Sequence, residues 1–322
     1  MRSSAVCPPF DPELEAILAA VADQIPAVTA ETIGELRQAP LPGVATDDDL
    51  AAAGLIRSEV TIPGYEGAEL VASVIRRADK SSVGPGIYHV HGGGMIAGNP
   101  MVGIAQIMPW IVEHDAVAVT LEYRLAPEFP DPYPVEDCYA GLLWTAEQAA
   151  QLGIDRDRLI IVGASAGGGL AAGCALMARD RSGPGLAGQV LICPMLDDRD
   201  QTASTVQYEN AGLWIRSSNV VGWDALLGDR RATDNVSIYA APARARDLAG
   251  LPPTFIDCGS AEVFRDEDVE YATRLWCAGV QAELHVWPGG FHGFDMVAPH
   301  TALAQMATAT RNDWIARLFA HA

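Results

Sequence analysis

Apolar and polar positions follow two different rhythms along this chain. Near the N-terminus, Leu14, Ile17, Leu18, Val21 and Ile25 recur at helical spacing. Asp11 supplies a helix-capping residue and Pro12 a first-turn proline. A helix with such a stripe must cover something, and this one is expected to be part of a lid. The stretch 40–49, rich in Pro, Gly and Asp, is expected to be a linker. From about Ser58 the rhythm shortens. Strand-like runs are expected at 59–62, 69–75, 87–90, 116–121, 159–162, 190–193, 254–258 and 283–287. Between the later runs lie stretches long enough for crossover helices, which predicts a mostly parallel sheet with helices on both faces. The first two runs are close together and more polar, as antiparallel edge strands would be. Between Asp197 and Ala243 the alternation fails. Mixed polar and aromatic residues there, among them Tyr208, Trp214, Trp223 and Tyr239, predict a helical insertion without strands.

Composition narrows the function classes. Acidic residues outnumber basic ones 41 to 21, a formal charge of −20 that repels phosphate backbones and anionic lipid surfaces. Nucleic acid is therefore excluded as an expected partner, and solubility is the plain reading of the charge. The six cysteines are scattered without a CxxC pair, and most lie in apolar runs where the thiol acts as a small hydrophobe. That usage favours a reducing compartment. The first ten residues lack a signal-peptide core, and no run approaches the length of a membrane span. A cytoplasmic protein without membrane insertion is expected.

The sharpest chemical signal is Gly163-Ala164-Ser165-Ala166-Gly167, placed between an apolar strand-like run and a helix-like stretch. In that context GxSxG forms a nucleophile elbow, a strained turn where bulky neighbours would clash and a helix N-terminus faces developing negative charge. His91-Gly92-Gly93-Gly94 follows the run 87–90 and resembles an oxyanion loop. Gly93 and Gly94 are assigned as N–H donors, joined by the N–H of Ala166. His91 is expected to fix the loop rather than move protons. A phosphate cradle would need a Lys or Ser/Thr at set spacing, which this loop lacks.

A serine hydroxyl needs a base, and the base needs an orienting acid. His285 alternates within a strand and is assigned to structure; His300 and His321 lie in polar or terminal positions. His292, in Gly289-Gly290-Phe291-His292-Gly293-Phe294 just after the last strand, is the expected base. For the acid, Glu262 comes first after the run 254–258. Asp266 competes, but its position suits the first turn of the next helix.

With these residues in place, the chain resembles the hormone-sensitive-lipase-like carboxylesterases. The resemblance is carried by His91–Gly94, Tyr123-Arg124-Leu125-Ala126-Pro127-Glu128, Gly163–Gly168, Phe264–Glu267 and Phe291–Phe294, over some two thirds of the chain. It implies an α/β-hydrolase fold with an eight-stranded, mostly parallel sheet and a helical cap. It further implies no cofactor, no metal, and hydrolysis of small esters with short acyl chains. On this reading 1–48 is an N-terminal cap segment, 49–196 and 244–322 are the two parts of the core, and 197–243 is a cap insertion. Many members carry Asp where this chain has Ala164, and Asp-Pro-Leu where it has Glu262-Val263-Phe264. Aligning Phe264-Arg265-Asp266-Glu267 with their Leu-Arg-Asp-Glu puts Glu262 on the acid. Trp214, Trp223 and the N-terminal helix are candidates for the acyl-side wall of a substrate site, and equally for core residues. Relatives often form homodimers through the last strand and helix. Lactones, amides and carbamates would pass through the same kind of intermediate, and a non-catalytic receptor on this scaffold is the remaining alternative.

Overall fold

A computed structural model describes residues 6–21, 27–40 and 43–321. Eight strands form one sheet: β1 (Leu55–Pro63), β2 (Glu69–Arg77), β3 (Gly84–Val90), β4 (Val117–Leu121), β5 (Ile154–Ala164), β6 (Gly188–Ile192), β7 (Thr254–Gly259) and β8 (Ala282–Trp287). Their spatial order is β1-β2-β4-β3-β5-β6-β7-β8. Only the β1–β2 and β2–β4 pairs are antiparallel, and every other pair is parallel. All eight expected runs are strands, and the early polar pair lies at one edge.

The central strands are apolar at consecutive positions because both faces are covered. Ile87, Ile160, Val162, Val190 and Phe255 face one layer, with α4 (Ile104–His114) and α12 (Ala302–His321). Tyr88, Ile161, Leu191 and Ile256 face the other, with α5 (Tyr133–Glu147), α7 (Ala166–Asp180) and α10 (Arg265–Cys277). The remaining helices are short or lie outside these layers. They are α1 (Pro12–Val21), α2 (Ile33–Leu36), α3 (Asp47–Ala52), α6 (Ala149–Leu152), α8 (Ala203–Gln207), α9 (Arg216–Leu227) and α11 (Phe294–Val297).

Asp11 caps α1, its carboxylate accepting from the N–H groups of Glu13 and Leu14. The buried stripe of α1, Leu14 and Leu18, packs on Trp287, Phe291 and Phe294, beside the loop that carries His292. Ile25 lies outside the described residues. From Gly43 on, the stretch expected to be a linker is more ordered than its composition suggests. Thr46 caps α3 in a reciprocal box with Asp49, and Val44 forms a bridge with Val102. The acids that read as solvated linker instead complement the helix N-terminus. Among the described residues, 197–243 holds α8 and α9 and no strand. No described helix is long and apolar enough to cross a membrane.

Candidate active site

Ser165 follows β5 directly and caps α7, with φ 56° and ψ −125°. This strained conformation is tolerated because its chain neighbours, Ala164, Ala166 and Gly167, are small. A Cβ on Gly167 would lie 2.1 Å from the carbonyl oxygen of Val90, so only glycine lets the helix start so close to β3. The Ser165 N–H donates to the Ile192 carbonyl, and the Ser165 carbonyl accepts from Met195, which fixes the turn against the end of β6.

The loops after β7 and β8 meet beside this turn. A Cβ on Gly259 would fall 1.9 Å from the Gly290 carbonyl oxygen, and Ala261 N–H donates to that same carbonyl. This close approach brings the two side chains together. The Nδ1 of His292 lies 2.6 Å from Glu262 Oε2, and its Nε2 lies 2.9 Å from Ser165 Oγ. The other Glu262 oxygen accepts from the Gly259 N–H at 2.6 Å. Phe264 packs edge-on against the imidazole at 5.0 Å. Asp266 lies elsewhere: it sits in the first turn of α10 and accepts from Ser204 N–H and Arg265.

Among the described residues, the N–H groups of Gly93, Gly94 and Ala166 donate to no protein acceptor. They are free to take a ligand oxygen. His91 stands behind this loop. Its ring stacks on Tyr123 at 4.1 Å, and its Nδ1 lies 2.8 Å from the Gly92 carbonyl. Burial pulls its pKa down to about 4, so the ring is neutral and holds the loop. The Tyr123 hydroxyl donates to the His91 carbonyl, which ties the Tyr123–Glu128 motif to the same loop.

Ser165, His292, Gly93 and Gly94 open onto a mainly apolar cavity of about 120 Å³. Val28 and Leu36 from the N-terminal segment line it, as do Leu213 and Trp214 from the insertion and Met296 from α11. Trp214 is thus placed at the cavity. Trp223 is not: it is fully buried in the core, the alternative expected for it. Leu36, Leu213 and Met296 were not expected, since nothing in the local pattern marks them. Arg37, in the same segment, donates to the carboxylate of Glu128 and to the carbonyls of Ile96 and Ala126, pinning the segment to the glycine loop after β3.

Cys193, Glu262 and His292 offer three possible metal-ligand atoms within 4.8 Å of one another. The fit is poor. Burial pushes the Cys193 thiol well above its usual range, and the imidazole and carboxylate are already joined to each other.

A serine at a strained strand-to-helix turn, on an eight-stranded sheet of this order, defines an α/β hydrolase. A family model described as alpha/beta hydrolase fold matches residues 87–296, nearly two thirds of the chain. The chain belongs to this family, in its hormone-sensitive-lipase-like branch. It is 33% identical to carboxylesterase NlhH of Mycobacterium tuberculosis over 305 residues, covering 91% of this chain and 93% of the relative. Among solved structures it is similar to a bacterial heroin esterase, at 36% identity and a TM-score of 0.87, covering 96% of this chain and 98% of the other. It is likewise similar to esterase LipW of Mycobacterium marinum, at 32% identity and a TM-score of 0.84, covering 98% and 99%.

Proposed function

We propose that this chain is a serine carboxylesterase that hydrolyses short-chain carboxylic esters through an acyl-enzyme intermediate. The observation that carries the reading is the single imidazole of His292, within hydrogen-bond reach of Ser165 on one side and Glu262 on the other. The Ser165 hydroxyl donates to Nε2, while the Nδ1–H donates to a carboxylate that can only accept. That fixes the tautomer in which Nε2 can take a proton.

In the first step Ser165 Oγ attacks the ester carbonyl as His292 removes its proton. The carbonyl oxygen becomes an oxyanion, met by the N–H groups of Gly93, Gly94 and Ala166. Such donors are typically worth about 3 kcal/mol each at the transition state. The imidazolium then gives its proton to the departing alcohol. Water repeats the sequence on the acyl-enzyme and releases the acid. Segments 1–48 and 197–243 act as a cap, a division supported by Val28, Leu36, Leu213 and Trp214 all lining the cavity at Ser165. A mainly apolar cavity favours uncharged, compact acyl groups.

The test is Ser165→Ala. Turnover of p-nitrophenyl butyrate and covalent labelling by a fluorophosphonate probe should both vanish, with the melting temperature kept within about 2 °C, since a surface-lining hydroxyl carries little stability. Butyrate turnover unchanged in the variant would remove the reading.

A further inference from the structure

Met296 lines two spaces at once. One is the cavity at Ser165; the other is an outer groove bordered by Gly43, Gln106, Asp295 and Pro299. Among the described residues it is the one side chain common to both. Its thioether runs flush along the backbone of the N-terminal segment. A Cβ on Gly43 would lie 3.2 Å from the Met296 Sδ and 3.3 Å from its Cβ and Cγ. Gly43 is held there because its carbonyl accepts from Gly103 N–H, next to the Val44–Val102 bridge. On the far side, a Cβ on Gly293 would lie 3.4 Å from the Met296 methyl. The chain that lines the inner cavity at Val102 and Gly103 goes on to line the outer groove at Ala105 and Gln106. Gln106 in turn donates to Asp295, beside Met296, at 2.6 Å. Met296 is therefore the described side chain that both spaces touch, packed against the backbone of Gly43 and next in sequence to the Asp295 that Gln106 holds.

We infer that Met296 is a specificity-determining residue that sets how long a linear acyl chain the Ser165 cavity accepts. This rests on the esterase reading above. The acyl group, unlike the alcohol, stays bound through both steps and so needs an enclosed apolar slot. Methionine is an adaptable filler with three rotatable bonds, so truncating it removes the end wall without disturbing the strands that position the site. The acyl chain could then continue into the outer groove.

The experiment compares kcat/KM of wild type, Met296→Ala and Met296→Phe on p-nitrophenyl acetate, butyrate, hexanoate and octanoate, with alkyl acetates of graded alcohol length as a second series. In Met296→Ala the octanoate-to-acetate ratio should rise, by about fourfold for each methylene newly buried. In Met296→Phe, which puts a bulkier side chain there, the same ratio should fall. Ratios that stay within twofold of wild type in both variants would overturn the inference, as would a shift confined to the alcohol series. A wild type that hydrolyses no ester of the acyl series would overturn the esterase reading itself, which keeps the two failures distinguishable.

Discussion

Glu262 accepts two hydrogen bonds in opposite directions, and this makes its amide variant unusually informative. In Glu262→Gln one side-chain oxygen and one amino group must share two partners, the Gly259 N–H and the His292 Nδ1. The backbone donor cannot change its character, so the amide oxygen must face Gly259. The amino group then faces Nδ1 and, being a donor, forces Nδ1 to accept. The imidazole proton moves to Nε2, where it points at Ser165 Oγ and can no longer receive the hydroxyl proton. An analogous carboxylate-to-amide change in a triad lowers kcat by about 10⁴ through the wrong tautomer. A similar loss, ~5 kcal/mol of barrier, is expected here. Glu262→Asp tests reach instead of charge. The side chain loses one methylene, while Ala261 N–H on the Gly290 carbonyl and Ser260 N–H on the Trp287 carbonyl hold the loop where it is. The 2.6 Å contact must lengthen, and an intermediate loss of about 10- to 100-fold is expected. Both are measured as kcat on p-nitrophenyl butyrate at saturating substrate, with Asp266→Asn as the comparison. A Glu262→Gln rate within tenfold of wild type, or a larger loss at Asp266, would refute the reasoning.

Two further expectations concern buried charge. Burial, with Glu262 and Glu267 nearby, holds the Asp268 carboxyl well above the usual range. The folded state therefore keeps a proton that the unfolded chain loses above about pH 4, and this group's contribution to stability falls as pH rises from there, by up to about 1.4 kcal/mol per unit until the folded carboxyl titrates. Asp268→Asn removes this contribution, so its melting temperature should gain on wild type as pH rises above about 4; a difference that does not change with pH would refute the argument. Arg311 pairs with the buried carboxylates of Asp257 and Asp295, so Arg311→Met, which strands both, should cost about 3–5 kcal/mol in chemical denaturation. A loss under about 1 kcal/mol, the size of an exposed pair, would show that the charges are not confined as described.

The strands were legible because a parallel sheet covered on both faces leaves consecutive apolar residues, a pattern no loop imitates. Their ends were less so: after Ile154, β5 runs through the polar stretch 155–158, where the side chains of Arg156 and Asp157 are exposed. The elbow could be read because its steric demand is local to five residues. Glu262 and Asp266 could be ranked because one lies directly after a strand and the other in a helical turn. The cavity was not legible. Val28, Leu36, Leu213 and Met296 are separated by much of the chain and share a wall only after folding. Trp214 and Trp223, nine positions apart around the start of α9, look alike in sequence yet face the cavity and the core respectively. The Thr46–Asp49 capping box was a usable signal in the stretch assigned to a linker, masked by its acidic composition.

An aspartate inside an apolar run is another signal of that kind, and Asp257 of β7 shows what it implies. Buried, it accepts from Trp287 Nε1 at 2.9 Å and from Arg311 of α12, which also donates to Asp295 of α11. Burial still pushes the Asp257 carboxyl up despite the guanidinium beside it, so the cluster is not an efficient source of stability. Its geometry gives a better reason for its presence. Asp257 lies in the strand that leads to Glu262, Trp287 ends the strand that leads to His292, and Asp295 follows His292 by three residues. A single planar guanidinium with fixed donor directions thus ties the supports of Glu262 to the supports of His292 from behind. Lysine, with one point charge on a flexible stem, could satisfy one carboxylate but not hold both at a set angle. The 2.6 Å contact between Glu262 and His292 depends on two loops from different strands agreeing in position, and the buried cluster beneath them restricts how far either can move.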